Sequence, residues 1–311
     1  MNNKAPMNDD LPYAPQLREI VGEENILLNE PMKNHTSFQI GGPADYFVTP
    51  AHVPALKQVI AFCRRENLPF YILGNGSNLL VGDKGYRGVV IQIFNKMGMV
   101  TPLDNLMIIQ SGALLSKVAN IALRHDLTGF EFASGIPGTF GGAMMMNAGA
   151  YGGEMKDVIQ KVSVLDEEGK VREIALDEME LGYRTSVFAK KNYIVLEGTI
   201  ALNRGDSKMI AEKMADLKEQ RTSKQPLEFP SAGSTFKRPE GYFAGKLISD
   251  SGLRGFQIGG AQVSEKHCGF VVNVGDATAS DVISLMNHVV NVVREKFGVE
   301  LEPEVRRLGE F

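Results

Sequence analysis

Apolar positions recur along this chain in two periods, and the alternation between them predicts most of its elements. Residues 44–49 alternate and stop at Pro50, the pattern of a strand running into a turn. Over 53–66 the apolar positions are Val53, Leu56, Val59, Ile60 and Cys63, which share one side of a helix. Apolar runs at 70–73, 88–93 and 106–110 predict strands, and 114–125 predicts another helix. This strand–helix–strand order belongs to an α+β or α/β unit. Strands at 158–165 and 171–174 flank a hairpin turn, Asp166-Glu167-Glu168-Gly169, and 193–202 adds a third strand. A charged helix follows over 207–221, with Ile210, Met214 and Leu217 on one stripe. Two prolines and weak periodicity in 222–230 place a domain boundary near it. A short helix at 243–249 and a strand at 269–274 precede the most regular element, a helix over 280–297. Its stripe is Val282, Leu285, Met286, Val289, Val290, Val293 and Phe297, with Thr278 or Ser280 to cap its start and Gly298 its end. The tail, 299–308, is expected to return as a strand to an earlier sheet.

Residues 134–153, SGIPGTFGGAMMMNAGAYGG, break this regularity. Seven of these 20 residues are glycine, against 33 in all 311. Glycine loses much backbone entropy on ordering, so such density needs a local reason. The main chain approaching a ligand, with N–H groups aimed at it, is one such reason. Two tight loops between strands is the plainer one, although ordinary turns need only one or two glycines. A second loop, Gly74-Asn75-Gly76-Ser77-Asn78, follows the apolar run at 70–73. Together they point to a large, phosphate-bearing cofactor held by backbone amides.

Composition narrows the partners. A net charge of −4 gives no broad basic field, which argues against nucleic acid. No apolar run approaches the roughly 20 residues that span a bilayer, so no membrane is expected. The start lacks the apolar core of a secretion signal and reads as a polar lead-in. Two cysteines in so long a chain, Cys63 and Cys268, are expected to remain reduced thiols in a cytoplasmic protein. Leu79 stands where the third glycine of a dinucleotide fingerprint belongs, and no phosphate-binding GxxxxGK[ST] occurs. Ser234 lacks the second glycine of a hydrolase nucleophile elbow. The five histidines are scattered, so no metal is predicted. Three polar segments remain: 183–187 with Arg184, 230–237 with Ser234 and Lys237, and 301–306 with Glu304. Singly, each reads as a surface turn or ion pair. On residues alone, the inference stops at a phosphate-rich cofactor and an anionic substrate.

Taken together, NHTSFQIGGPADYF, ILGNGSNLL, SGIPGTFGGAMMMNAGAYG, YRTSVF, PSAGSTFKRP, SGLRGFQIGGAQVSEKHCGFVVN and EPEVR resemble the UDP-N-acetylenolpyruvoylglucosamine reductase (MurB) family over about 31–309. The resemblance implies an α+β, three-domain FAD-binding fold of the FAD-linked oxidase (PCMH-type) kind, with a smaller α+β substrate-binding domain. On this reading 1–30 is the polar lead-in, and 31–100, joined by the tail 299–311, is the first FAD-binding subdomain. The second spans 101–206, and 207–298 binds substrate. FAD is expected to be non-covalent, since neither proposed cradle contains a histidine or cysteine. NADPH is the implied co-substrate, and the implied substrate is a UDP-sugar enolpyruvyl ether of peptidoglycan precursor synthesis. The enzyme is expected as a monomer or weak oligomer.

By resemblance, the cofactor residues are Gly74, Asn75, Gly76, Ser77, Asn78, Ser134, Gly135, Gly138, Gly141, Gly142, Asn147 and Ala148. Arg184 and Glu304 would polarise the substrate, Ser234 would deliver a proton, and Lys224, Lys237 and Arg238 would face its diphosphate. Longer family members carry an inserted loop with a tyrosine that covers the substrate. Only 50 residues separate Arg184 from Ser234 here, so the chain resembles the shorter type, with Tyr242 or Phe243 left as candidates to close the site. Two rivals remain: another non-covalent FAD oxidase of the same cofactor fold, and a non-catalytic flavin or nucleotide sensor.

Overall fold

The structure is a computed structural model that describes residues 11–311. Met107 and Ile109 are buried on Leu106–Gln110 while their neighbours are half-buried, as a strand with one face on the core requires. This strand belongs to a five-stranded sheet in the order Val171–Ala175, Ile159–Leu165, Ile194–Ala201, Leu106–Gln110 and Val100–Leu103. Every neighbouring pair is antiparallel. The expected hairpin closes where Leu165 faces Val171. Asp166 Oδ1 accepts the amides of Glu168 at 3.0 Å and Lys170 at 2.8 Å, and Gly169 takes φ +81°. The helix Leu115–Arg124 and the short helix Phe140–Met145 share the core with this sheet. Phe140 seats so closely that a Cβ on Gly198 would lie 2.6 Å from its ring.

The chain divides into two compact units. The first takes the chain up to Leu28, Tyr46–Asn75 and Gly88–Arg221; the second takes Asn29–Asp45, Gly76–Arg87 and Thr222–Phe311. This differs from the expected boundaries, which followed chain order. The segment 31–45 groups with the C-terminal residues because Phe38 and Ile40 belong to their core, as does Leu80.

Besides the five-stranded sheet, the first unit contains Phe70–Leu73, parallel to Tyr86–Gln92 with Phe70 opposite Val89. The helix Val53–Arg65 precedes it, its start capped by His52 Nδ1, which accepts the Ala55 amide at 3.1 Å. Leu56, Val59, Ile60 and Cys63 are buried as the spacing predicts. They share a cluster with Leu17 of the helix Ala14–Val21. The expected polar lead-in over 1–30 therefore differs from the structure: its first ten residues lie outside the described ones, and Ala14, Leu17 and Val21 of the rest are core. Three apolar residues in a short polar context gave too weak a period to separate from a loop. Both cysteines are free and buried, and burial pushes the Cys63 thiol up to about 12.

The second unit is built on the helix Ala279–Phe297 against the antiparallel meander Gln257–Ile258, Ala261–Val263 and Val271–Asn273. Val282, Leu285, Met286, Val289 and Val293 are buried, whereas Phe297, at the end of the predicted stripe, is exposed. Thr278 Oγ1 accepts the Asp281 amide at 3.0 Å, Asp281 Oδ2 accepts the Thr278 amide at 3.0 Å, and Gly298 ends the helix at φ +66°. The tail returns as expected: Arg306–Leu308 pairs in parallel with Leu79–Val81. No helix among the described residues is long and apolar enough to cross a membrane.

The amides of Thr278 and Gly260 hold the Asp281 carboxyl below its ordinary range. A depressed carboxyl pKa stabilises the fold above the unfolded value, about 3.9, and that contribution disappears as pH falls. Asp281→Asn should flatten the acid limb of stability against pH, and Thr278→Ala should cost about 1 kcal/mol. Urea unfolding between pH 3 and 7 tests both; identical acid limbs for Asp281→Asn and the native chain would remove the role given to Asp281.

Candidate functional site

In the first unit the two glycine-rich segments are fastened to each other. Asn75 Nδ2 donates to Pro137 O at 2.5 Å, and a Cβ on Gly74 would stand 2.5 Å from Thr139 Oγ1. Thr139 caps the helix Phe140–Met145, its hydroxyl accepting the Gly142 amide at 3.3 Å. Six residues of what reads as a glycine loop are therefore helix. Glycine is required at 141 by packing, since a Cβ there would fall 1.9 Å from Ser111 Oγ. At 142 a Cβ would meet only Thr139 Oγ1, at 3.4 Å.

The backbone donors divide in the same way. The amide of Gly141 donates to Ser111 O at 2.8 Å and that of Ala148 to Ala143 O at 2.9 Å. Ser134 donates through both its amide and its hydroxyl to Glu131 O. Among the described residues, the amides of Asn75, Gly135 and Gly138 make no hydrogen bond. A Cβ on Gly135 would meet Arg221, with Cδ at 3.3 Å and Nη1 at 3.4 Å. Burial pushes the Arg221 guanidinium below the usual arginine range. Open amides beside a half-buried guanidinium suit an anionic ligand such as a pyrophosphate-bearing cofactor. Arg221 has no sequence signal, because it stands among other charges on the helix Ser207–Lys224.

Asn147 acts as an internal brace. It is buried with φ +45°; Nδ2 donates to Glu154 Oε2 at 2.6 Å and to Gly182 O at 3.3 Å, while Oδ1 accepts the Lys156 amide at 2.9 Å. Gly182 and Thr185 form the two-way bridge of a tight turn, with Arg184 within it at φ +56°. The Arg184 guanidinium lies over Tyr183, 5.1 Å from the ring centroid. Ser186 Oγ donates to Met145 O at 2.8 Å, a second tie between this turn and the glycine segment. The structure thus brings Gly74, Asn75, residues 134–148 and Arg184 together in one unit.

The second unit gathers the rest. Thr235, buried beside exposed Ser234, organises the segment: its carbonyl accepts the Glu304 amide at 2.8 Å, its amide donates to Gly269 O at 2.8 Å, and its hydroxyl accepts the Val271 amide at 2.8 Å. Asn78 Nδ2 donates to Glu304 O at 3.2 Å, so the Gly76–Asn78 turn, the Ser234 loop and half-buried Glu304 share one place. Glycine at 76 answers to packing, since a Cβ would fall 2.0 Å from His35 O. The Ser37 amide donates to Gly76 O at 3.1 Å and Ser37 Oγ to Ser231 O at 2.6 Å, which explains the SF of the HTSFQIGG motif. The three predicted cations differ. Lys224 is exposed at a helix end, Lys237 is ion-paired with Glu302, and Arg238 lies over the Phe243 ring at 4.0 Å. Among the described residues no cluster of His, Cys, Asp or Glu could hold a metal ion.

Comparison with known proteins gives two family models on this chain. Residues 225–308 match the model of the UDP-N-acetylenolpyruvoylglucosamine reductase C-terminal domain, and residues 44–175 match that of an FAD binding domain. A UDP-N-acetylenolpyruvoylglucosamine reductase of Caldanaerobacter subterraneus subsp. tengcongensis is 55% identical, over 95% of this chain and 97% of its own. That of Alkaliphilus oremlandii is 54% identical over 97% and 99%. The crystal structure of UDP-N-acetylenolpyruvylglucosamine reductase from Thermus caldophilus superposes with a TM-score of 0.77 at 34% identity, covering 91% of this chain and 98% of that one. The α+β FAD-binding fold expected from the sequence is the fold these matches describe.

The glycines offer a direct test. Gly141→Ala should destabilise the apoprotein by about 1–3 kcal/mol through overpacking against Ser111. Gly142→Ala should stay within about 1 kcal/mol of the native chain, having room and a helical backbone. Equal unfolding midpoints for the two variants would show that Ser111 yields and that packing does not dictate glycine at 141.

Proposed function

The chain belongs to the UDP-N-acetylenolpyruvoylglucosamine reductase family, and from that premise we propose how its own residues divide the work. It is an FAD-dependent oxidoreductase that uses NADPH to reduce the enolpyruvyl group of a UDP-sugar, yielding UDP-N-acetylmuramate for peptidoglycan synthesis. When bound, FAD would supply the hydride chemistry that links NADPH oxidation to reduction of the enolpyruvyl group.

The remaining steps fall to side chains. When the terminal carbon gains hydride, negative charge develops on the neighbouring carbon and spreads into its carboxylate. The Arg184 guanidinium stabilises that charge as it forms, where binding energy accelerates the reaction most. Ser234 then donates its hydroxyl proton to the carbon, completing the lactyl ether. A hydroxyl is a poor acid in water, but it suffices within hydrogen-bond reach of a strongly basic enolate. Glu304 acts as the protonated acid or through a bridging water, since a bare carboxylate would repel the developing anion. One observation supports this assignment: the Glu304 amide donates to Thr235 O and its carbonyl accepts Asn78 Nδ2, so its backbone runs beside the residue that follows Ser234.

For the cofactor, the amides of Asn75, Gly135 and Gly138 and the Arg221 guanidinium would hold the pyrophosphate of FAD, and Ser77 and Asn78 are retained as further cofactor residues. Lys224 and Arg238 meet the substrate diphosphate, and Lys237 does so only by leaving Glu302. Asn147 and Ala148 serve by holding the segment's shape. The enzyme works in the cytoplasm, as a monomer or weak oligomer, with neither nucleic acid nor membrane as partner.

The purified protein should be yellow, bleach with NADPH, and regain colour anaerobically with the UDP-enolpyruvyl sugar but not with simple alcohols. A folded preparation that takes up no FAD would overturn the reading. Ser234→Ala should leave bleaching nearly intact and slow recolouring by about 10²-fold or more, the scale of a lost general acid. Equal slowing of both half-reactions would make Ser234 a positioning residue.

A further inference from the structure

His267 is half-buried in the loop 264–270 and closes that loop on itself. Its Nδ1 accepts the Gly269 amide at 3.1 Å, and its carbonyl accepts the Phe270 amide at 2.9 Å. Its own amide and that of Lys266 donate to Ser264 Oγ, at 3.2 and 3.1 Å. An amide can donate only to an unprotonated nitrogen, so the ring is neutral with its hydrogen on Nε2. Burial agrees, holding His267 below the ordinary histidine range, with Arg254 adding to the effect. Two glycines leave room for the imidazole. A Cβ on Gly269 would stand 2.9 Å from its Cε1, and one on Gly245 would stand 3.3 Å from the same atom.

A histidine that closes its own loop needs no function to explain it. This one differs in where the loop leads. Gly269, whose N–H the ring holds, accepts at its carbonyl the N–H of the peptide joining Ser234 to Thr235, at 2.8 Å. Thr235 is anchored further at its hydroxyl by the Val271 amide and at its carbonyl by the Glu304 amide, each at 2.8 Å. We propose that His267 is a positioning residue for Ser234: its acceptor nitrogen fixes Gly269, and Gly269 fixes the peptide that carries the proton-donating hydroxyl. The proposal rests on the reductase reading above, in which Ser234 serves the recolouring half-reaction. Protonating Nδ1 would set N–H against N–H and release Gly269. Of the charged groups on the elements packed around the ring, Arg254 acts on it electrostatically. Lys246 is paired with Asp250 and Lys266 with Glu228, while Glu265 lies against Gly255.

Anaerobic stopped-flow on the holoenzyme separates the half-reactions, with NADPH to bleach the flavin and saturating UDP-enolpyruvyl sugar to recolour it. His267→Leu keeps bulk but has no acceptor. It should slow recolouring by about 10-fold or more, because small displacements of a reacting group are costly, and leave bleaching within about twofold. His267→Asn sets an amide oxygen where Nδ1 stands and should bring recolouring back to within about threefold of native. Native recolouring, but not bleaching, should fall as pH drops through the ring's value, which lies below about 6.5. His267→Asn should lose that acid limb. Native recolouring in His267→Leu would overturn the proposal, as would equal slowing of both half-reactions. A loss confined to KM would also overturn it, making the ring a ligand contact. An acid limb unchanged in His267→Asn counts against it equally, and that comparison decides should His267→Leu fail to fold. Failure of the parent reading is separate: Ser234→Ala would then not slow recolouring selectively, and the native flavin would not regain colour with the sugar.

Discussion

Two backbone segments far apart in sequence approach within atomic contact at Gly74 and Thr139, and the shape of the first unit's glycine-rich segments depends on that approach. Any side chain at 74 would meet the Thr139 hydroxyl, which is already engaged in capping the helix Phe140–Met145. The contact holds the 134–138 segment against the end of the strand Phe70–Leu73, and the Asn75–Pro137 hydrogen bond reinforces it. From there the constraint passes outward. Asn147 and Ser186 tie the same segment to the turn bearing Arg184, whose left-handed backbone a non-glycine residue adopts only under such support. Arg184 is thus placed by the same close packing that shapes the glycine-rich segment.

The second unit repeats the device with a different residue. The carbonyl, amide and hydroxyl of Thr235 all engage neighbouring chain, and this presents Ser234 outward while drawing the Glu304 backbone alongside. Along the segment Thr235 and Phe236 are both buried, while Ser234 and Arg238 on either side of them are exposed. The tail that carries Glu304 is secured by the parallel pairing of Arg306–Leu308 with Leu79–Val81. Asn78, just before that strand, reaches the Glu304 carbonyl, so one short stretch ties the Gly76–Asn78 turn to Glu304.

Glycine density is accordingly a mixed signal. Gly74, Gly76 and Gly141 are glycine because backbone or a short side chain of this protein occupies the place of a Cβ. Gly135 and Gly142 have looser surroundings, a flexible arginine in one case and a single hydroxyl in the other. Close self-packing and close ligand approach impose the same residue type, so composition cannot separate them. Cations are ambiguous for a similar reason. Lys237 and Arg238 are adjacent and alike in charge, yet one is neutralised by Glu302 and the other rests on an aromatic ring.

The sequence by itself determined the long amphipathic elements, since periodicity reports directly which face meets the core. The helices Val53–Arg65 and Ala279–Phe297, the hairpin around Asp166 and the capping by Thr278 are all legible in that way. Ordered motifs also pointed to the family and to Arg184, Ser234 and Glu304 as a set. Periodicity missed the helix Ala14–Val21, whose turns are too few, and the helix Phe140–Met145, hidden among glycines. Only the tertiary structure decided that residues 31–45 build the core of the C-terminal unit, that Asn147 braces instead of reaching outward, and that Arg221 stands at Gly135. Those facts rest on contacts between residues tens to hundreds of positions apart, and a local pattern carries no record of which distant partner completes it.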